Sequence, residues 1–323
     1  MKTVLIMGIN GGFGGSVAQG LARQGWRIRA LMREPTKLPE RFAGTEVYQG
    51  DASNIDDVRM AAKQVDLVVY AVNPANYDWD NKALPWVNVM ATVAEEQKLN
   101  LIFPGNVYNF DPKQGPDFDE TKEHNPISAK GKIRKAMENR LKQASSKGAK
   151  VVIVRCGDFI GENLRSAWLP QLVKEKNDKI FLTVTGDKQI SHTWAYLPDV
   201  AKTVAELATN IDSLLEFNVF HFKGQRISFI EIAETLERIF GKKVVMKSFP
   251  WLLIGIISPF SKLFSGLIEM RYLWKYELNL IDKKLTQTLG HEIQQTELGQ
   301  ALVESKILTN KSQEASSKQL IEQ

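Results

Sequence analysis

Residues 3 to 15 read Thr-Val-Leu-Ile-Met-Gly-Ile-Asn-Gly-Gly-Phe-Gly-Gly. A short apolar run, Val4 to Met7, drops straight into a glycine-rich turn, and an amphipathic helix pattern begins at Ser16. This order is what the start of a dinucleotide-binding βαβ unit requires. Gly8 permits the tight turn off the strand, Gly11 lets the backbone approach a pyrophosphate, and Gly14 lets the helix sit close to the sheet. Phosphates would then meet free N–H groups at a helix N-terminus. Asn10, Gly12 and Phe13 complete this loop and belong to the same expected contact surface.

Strands and helices alternate through the first half. Strands are expected at Arg27 to Met32, Glu46 to Gln49, Leu67 to Val72, Leu101 to Phe103 and Val151 to Val154. Helices are expected at Ile55 to Lys63, Leu84 to Gln97 and Pro126 to Lys147, the last ended by Gly148. Short apolar runs separated by helical spacing mean a parallel sheet covered on both faces. After Arg155 the rhythm breaks. A helix is expected near Ala167 to Lys176, another at Pro198 to Asn210, a strand at Glu216 to His221 and a helix from Phe229 to Phe240 closing at Gly241. The remainder to about Leu308 reads as helical and apolar, and Thr309 to Gln323 as a polar, flexible tail. The expected architecture is α/β: a Rossmann-like doubly wound parallel sheet with a smaller, mostly helical C-terminal substrate lobe. The sheet domain takes residues 1–156 and about 196–222, and the lobe about 157–195 and 223–308.

The 323 residues suffice for one large domain or two coupled ones, and a net charge of +5 is too small and scattered to indicate nucleic acid. Cys156 is the only cysteine, which excludes a disulfide within the chain and suggests a reducing, cytoplasmic compartment. No signal peptide is visible ahead of the first strand. The four histidines and one cysteine show no metal-ligand spacing, so no metal is expected. The apolar stretch Trp251 to Ile268 carries Pro259 and Lys262 in its middle, whereas a spanning helix wants about 20 predominantly apolar residues. It reads as a broken pair of amphipathic helices covering an apolar cleft, with a peripheral membrane contact as the weaker alternative, given Arg271 and Lys275 beside it.

With these features the chain resembles the extended and atypical short-chain dehydrogenase/reductase superfamily over roughly residues 2 to 308. Gly8, Gly11 and Gly14 match its Gly-x-x-Gly-x-x-Gly loop. Gly50-Asp51 matches the acid that commonly contacts adenine, and Ala71-Val72-Asn73-Pro74 sits where the cofactor-lining turn lies. Tyr196-Leu-Pro-Asp-Val-Ala201 looks like the family's helix start, with Asp199 near the helix N-terminus. Arg33 ends the second strand, where a carboxylate would bind the ribose 2′-hydroxyl of NAD and an arginine would pair with the 2′-phosphate of NADP. The expected cofactor is therefore NADP(H).

Most members carry Tyr-x-x-x-Lys on the helix that here covers 126 to 147. Measured back from Glu138, Lys130 stands at the tyrosine position and Arg134 at the lysine position, and the helix contains no tyrosine. Lys130, Ile133, Arg134 and Glu138 instead fit the isoflavone-reductase-like and NmrA-like branch, whose resemblance nominates Lys130 as general acid or base. A desolvated lysine can have its pKa drawn toward neutrality, and Arg134 one turn away would depress it further and could hold cofactor oxygens. Tyr108 after the fifth strand is a substitute phenol or cleft lining. His192 and Trp194 are candidates to face the substrate, and His124 lies beside the helix. The resemblance implies an NADPH-dependent oxidoreductase acting on an apolar or aromatic small molecule. The alternatives are a non-catalytic NADP(H)-binding regulator or redox sensor, and a nucleotide-sugar epimerase or dehydratase. Homodimerisation through helices 84–97 and 126–147 is a family expectation.

Overall fold

The computed structural model describes residues 1–164 and 167–308. The chain opens with β1 (Thr3–Met7), α1 (Gly12–Arg23), β2 (Arg27–Met32), β3 (Glu46–Gln49), α2 (Ile55–Ala61), β4 (Leu67–Tyr70), α3 (Ala83–Gln97) and β5 (Asn100–Gly105). It continues through β6 (Asp117–Phe118), α4 (Ala129–Ser145), β7 (Lys150–Arg155), β8 (Asp158–Ile160), α5 (Trp168–Leu172), β9 (Val173–Lys176) and β10 (Lys179–Val184). Then come β11 (His192–Tyr196), α6 (Leu197–Thr209), β12 (Phe217–His221), β13 (Gln225–Ile227), α7 (Phe229–Phe240) and β14 (Val244–Ser248). Last are α8 (Trp251–Ile257), α9 (Lys262–Met270), β15 (Asn279–Leu280), α10 (Lys283–Leu289) and α11 (Leu298–Glu304).

Seven strands form one sheet in the order β12-β7-β5-β4-β1-β2-β3, and every pairing in it is parallel. Each inner strand is buried on both faces, which is why Val4 to Met7 and Val151 to Val154 read as unbroken apolar runs. Alternate side chains serve opposite layers. Val4 and Ile6 join Val17, Leu21 and Val204 under α1 and α6, while Leu5 and Met7 join Val87, Met90 and Leu141 under α3 and α4. The sequence runs β1, β2, β3 to one side and β4, β5, β7 to the other, so the switch point lies between β1 and β4.

Local chemistry sets the helix ends. The Asn54 side chain accepts the amides of Asp56 and Asp57 to start α2. Ser128 Oγ accepts the Gly131 amide at 3.0 Å, so α4 starts at Ala129, behind the Pro126 of the expected helix. Ser228 and Glu231 form a reciprocal capping box on α7, and Gly241 ends that helix in the left-handed region.

The second half contains more strand than its pattern suggested. The helix expected over 167 to 176 lasts only from Trp168 to Leu172, and β9 follows. Asn177 and Asp178 both take positive φ, 51° and 55°, and turn β9 back onto β10 as a two-residue hairpin. That Asn-Asp pair ahead of the apolar run Ile180 to Val184 was the available signal. Beyond Gly241 the chain is not uniformly helical either: β14 runs parallel to β10, and β15 to β6. The lobe core gathers Leu169, Leu182, Trp194, Phe229, Leu236 and Trp274. The 251–268 stretch breaks at Pro259 into α8 and α9, and among the described residues no helix is long and apolar enough to cross a membrane. The tail expected over 309–323 lies outside the described residues.

Candidate active site at the carboxyl edge of the sheet

The glycine cradle forms from backbone alone. Gly8 leaves β1 at φ +94°, and a Cβ there would stand 2.6 Å from the Ala71 carbonyl oxygen beyond β4. A Cβ on Gly14 would stand 2.4 Å from the Gly8 carbonyl oxygen. No other residue fits either position, because neither obstacle is a movable side chain. The Gly11 amide closes the turn on the Gly8 carbonyl at 3.0 Å. Gly11 is the N-cap of α1 and supplies no side-chain cap, and no acidic residue sits in the first turn. The first amides of α1 therefore face outward without internal partners, beside the switch point. This arrangement fits a pyrophosphate. Phe13 is buried against Phe159, so it contributes its amide rather than its ring. Asn10 ties the loop to the next turn, donating to the Lys37 carbonyl at 3.2 Å.

At the end of β2 the Arg33 side chain is 76% exposed and lies 4.0 Å from the Asp51 carboxylate. The amide and hydroxyl of Ser53 donate to Asp51 at 2.8 and 2.7 Å. The Ser53 amide, with a smaller contribution from Arg33, holds the Asp51 carboxyl below its ordinary value. A cation and an anion thus share the end of β2. Ala71 and Val72 are half-buried along the β4 turn, and Asn73 is exposed.

Beyond the cradle, loops after β4, β5 and β7 converge. Asn76 and Tyr77 both take φ +55°, a conformation that costs an aromatic residue free energy and persists only when its surroundings impose it. Here α9 imposes it, since a Cβ on Gly266 would stand 2.6 Å from that of Tyr77. The Tyr77 phenol faces Tyr108, and Trp79 packs between their loops, its ring 6.3 Å from Tyr77 and 6.1 Å from Tyr108. Burial pushes Tyr77 up to about 12 and Tyr108 well above its ordinary value, so both stay protonated. Asp158 opens β8 directly after the sheet strand β7, and its charge is felt by both phenols. Among the described residues nothing donates a hydrogen bond to its carboxyl, and burial alone pushes it up to about 7. Nothing in the sequence singled out Asp158 or Tyr77; the available signal was a lone acid just past an apolar sheet strand.

Lys130 lies in the first turn of α4, 7% exposed. Its ammonium donates to Glu269 Oε2 at 2.5 Å, and its amide to Glu269 Oε1 at 2.8 Å. The partner carboxylate, 139 residues away, therefore clamps α9 onto the N-terminus of α4, where the helix dipole favours it. The unpaired, desolvated amine expected from the sequence is instead half of an ion pair. Arg134 is also placed differently from expectation. Its guanidinium lies between the Trp79 and Phe103 rings at 5.1 and 5.3 Å, and it donates to the Pro104 carbonyl at 3.0 Å. Sealed in that way it supports the site floor rather than reaching cofactor oxygens.

His192 and Trp194, expected to face a substrate, belong to the lobe core. His192 packs edge-on against Trp274 at 4.6 Å, and burial lowers it to about 4. Trp194 is 1% exposed and donates to the Ile227 carbonyl. Both point inward because β11 is covered on both sides by its lobe. His124 joins a buried network in which Arg155 pairs with Glu138 at 2.8 Å and donates to the Asn106 carbonyl at 2.5 Å. That network braces the ends of β5 and β7. Asp199 binds the amide and hydroxyl of Thr296, fixing the C-terminal segment to α6. Among the described residues no group of three or more His, Cys, Asp or Glu side chains could hold a metal ion.

The family model described as the RmlD substrate binding domain matches residues 1–247. Solved structures with this fold include UDP-N-acetylglucosamine 4-epimerase from Bacillus cereus, at 14% identity and TM-score 0.72, over 96% of this chain and 97% of that one. UDP-glucose 4-epimerase from Brucella ovis in complex with NAD matches at 14% and 0.72, over 94% and 96%. The Bordetella bronchiseptica enzyme WbmH in complex with NAD+ matches at 17% and 0.70, over 94% and 97%. No curated protein matches the sequence. The chain belongs to the RmlD substrate-binding-domain family, within the extended short-chain dehydrogenase/reductase superfamily.

Proposed function

We propose that this protein is an NAD(P)-dependent enzyme of the epimerase/dehydratase type acting on a nucleotide-linked sugar. One observation carries the reading: at the same edge of the sheet as the glycine cradle, the half-buried carboxyl of Asp158, with no hydrogen-bond partner among the described residues, lies within electrostatic reach of two protonated phenols. The full-length likeness to sugar-nucleotide epimerases supports it. When bound, a nicotinamide dinucleotide supplies reversible hydride exchange at a carbinol carbon. The amides of Gly12, Phe13 and Gly14 hold the pyrophosphate, and Arg33 pairs with a 2′-phosphate, which favours NADP. Tyr77 donates a hydrogen bond to a sugar oxygen, and Tyr108, which donates to Tyr77, orients it. Asp158 takes the hydroxyl proton as the carbon is oxidised and returns it on reduction, a task suited to a group that titrates near neutrality. Lys130, paired with Glu269, anchors α9 over the start of α4.

This reading departs from the reductase of apolar molecules that Lys130 and Arg134 suggested, because Glu269 engages the Lys130 ammonium and the Pro104 carbonyl and two rings enclose Arg134. The test is product analysis after incubation with NADP+ or NAD+ and a panel of UDP- and dTDP-hexoses, with NADPH and enones as the opposing panel. Epimerised or dehydrated sugar nucleotide is the expected result. Turnover only of enones with net NADPH consumption would restore the reductase reading. Tight cofactor binding without turnover on either panel would make the protein a binder.

A further inference from the structure

The densest run of exposed apolar side chains lies on α8, α9 and the turn between them. Leu252 is 84% exposed, Ile256 66% and Phe260 90%, with Leu253, Ile257 and Leu263 alongside. Exposure this complete describes a projecting ridge rather than a flat patch. The inner side of the same hairpin is committed: Gly266 packs on Tyr77, Glu269 binds Lys130, and Ile254 and Met270 are buried. Beside the ridge is a cleft of about 500 Å³ at the ends of β10 and β14. Arg271, Lys275, Trp251 and Thr185 line it. The Arg271 guanidinium lies 5.0 Å from the Trp251 ring centre. Thr185 is 2% exposed, and its hydroxyl has no hydrogen-bond partner among the described residues. One acid, Asp187, also lines the cleft, its carboxylate engaged by the Gln189 amide at 2.9 Å. Between residues 249 and 275 the only acid is Glu269, which is spent on Lys130; Lys262 is paired with Asp78, while Arg271 and Lys275 are exposed.

We propose that this face docks on an anionic phospholipid surface, with the Leu252–Phe260 ridge entering the acyl boundary and the Arg271–Lys275 cleft taking a phosphodiester headgroup. An apolar face with aromatic residues and flanking basic side chains is the pattern of interfacial, non-spanning helices. Charge complementarity of this face points the same way, since Arg271 and Lys275 are exposed beside the ridge and Glu269 is neutralised by Lys130. A second copy of the chain fits less well. A ridge needs an apolar groove to receive it, and the cleft beside α7 is polar, lined by Gln225, Arg226, Glu231, Glu234 and Glu297. Docking would set the roof of the crevice against the membrane, so substrate would enter from its edge.

Flotation of the full chain with vesicles of phosphatidylcholine, alone or mixed with phosphatidylglycerol, tests this independently of any activity. The expected result is flotation with the anionic vesicles and at least tenfold weaker association with the neutral ones. The triple variant L252S/I256S/F260S and the single variant Lys275→Glu should each lose at least tenfold, with far-UV dichroism unchanged. The changed side chains are all exposed, so both variants should fold. No flotation of the wild type with anionic vesicles would overturn the proposal, as would undiminished flotation of the triple variant. A wild-type dimer in light scattering that the triple variant converts to monomer, with no vesicle binding, would assign the ridge to self-association instead.

Discussion

Two halves of one crevice are held in opposite ways. The half at β1, β2 and β4 is made of backbone: a turn at Gly8, free amides at the start of α1, and the Ala71 carbonyl packed where any Cβ would clash. The half beyond β4, β5 and β7 is made of side chains drawn from five separate segments, and its roof comes from α9. In the first half, specificity resides in absence of bulk. In the second, each cation has a partner, with Glu269 on Lys130 and the Pro104 carbonyl and two rings on Arg134, and Asp158 is the acid left over. An unpaired carboxyl amid satisfied charges is a poor stabiliser, which is why it stands out as chemistry.

The sharpest way to break the comparison is to put bulk into the backbone half. Gly14→Val would force its side chain against the Gly8 carbonyl, so dinucleotide affinity measured by calorimetry should fall at least a hundredfold. A side-chain change in the other half should leave that affinity intact. Retained affinity in Gly14→Val would show that the cradle does not approach the ligand.

Asp158→Asn should lower turnover of the sugar nucleotide by a factor of about 10² to 10⁴, the usual worth of a general base, with cofactor affinity unchanged. The same variant should be more stable than the wild type at alkaline pH. Asp158 rises from 3.8 to about 7 on folding, so it is uncharged in both states at low pH. Its ionisation costs the folded state progressively between about pH 4 and 7, and fully above that. The full cost approaches about 4 kcal/mol at the usual 1.36 kcal/mol per pKa unit. Denaturant titrations should therefore show a stability gain for Asp158→Asn at pH 8 that shrinks toward pH 4. A gain independent of pH would mean the carboxyl is not desolvated.

Glu269→Gln removes one partner of a mostly buried pair and strands the Lys130 ammonium. Breaking such pairs costs about 3 to 5 kcal/mol when they are fully buried, and the side chain of Glu269 is 24% exposed, so a loss of about 2 to 3 kcal/mol is expected. Lys130→Met paired with Glu269→Gln should recover part of it, since both charges then leave together. A proton-shuttling Lys130 would instead show full loss of turnover in Lys130→Met alone and in every background.

How far the crevice could be read from the chain follows the same division. Gly8, Gly11, Gly14 and Arg33 lie within reach of one βαβ unit, so spacing along the sequence reports their spatial roles. The alternation of β1 to β5 and β7 with their helices was legible for the same reason, whereas the two-residue β6 was not. Lys130 was found as a position, but its partner Glu269 is 139 residues away, and no local pattern announces it. His192 and Trp194 looked available because a polar or aromatic residue before a helix can face either way; only the packing of β11 under Trp274 and Phe229 decides. Asp158 went unremarked because its importance comes from what surrounds it.

The smallest effect expected is at Arg33, where backbone and side-chain logic meet. Its guanidinium is mostly exposed, and its contact with Asp51, at 4.0 Å, is an exposed ion pair of the kind worth at most about 1 kcal/mol. Losing Asp51 as a neighbour therefore costs Arg33 little, and the arginine is available to a doubly charged 2′-phosphate, which it can grip with two N–H donors. Arg33→Ala should weaken NADP+ binding about tenfold, or about 1.4 kcal/mol, while NAD+ binding changes less than twofold. Because the attraction is exposed, the discrimination should shrink as salt rises from 50 mM toward 500 mM. Equal affinity for the two dinucleotides in the wild type would mean that Asp51, fixed by Ser53, reads the ribose hydroxyls and that Arg33 merely shields it. In that case Asp51→Asn, not Arg33→Ala, would carry the larger loss.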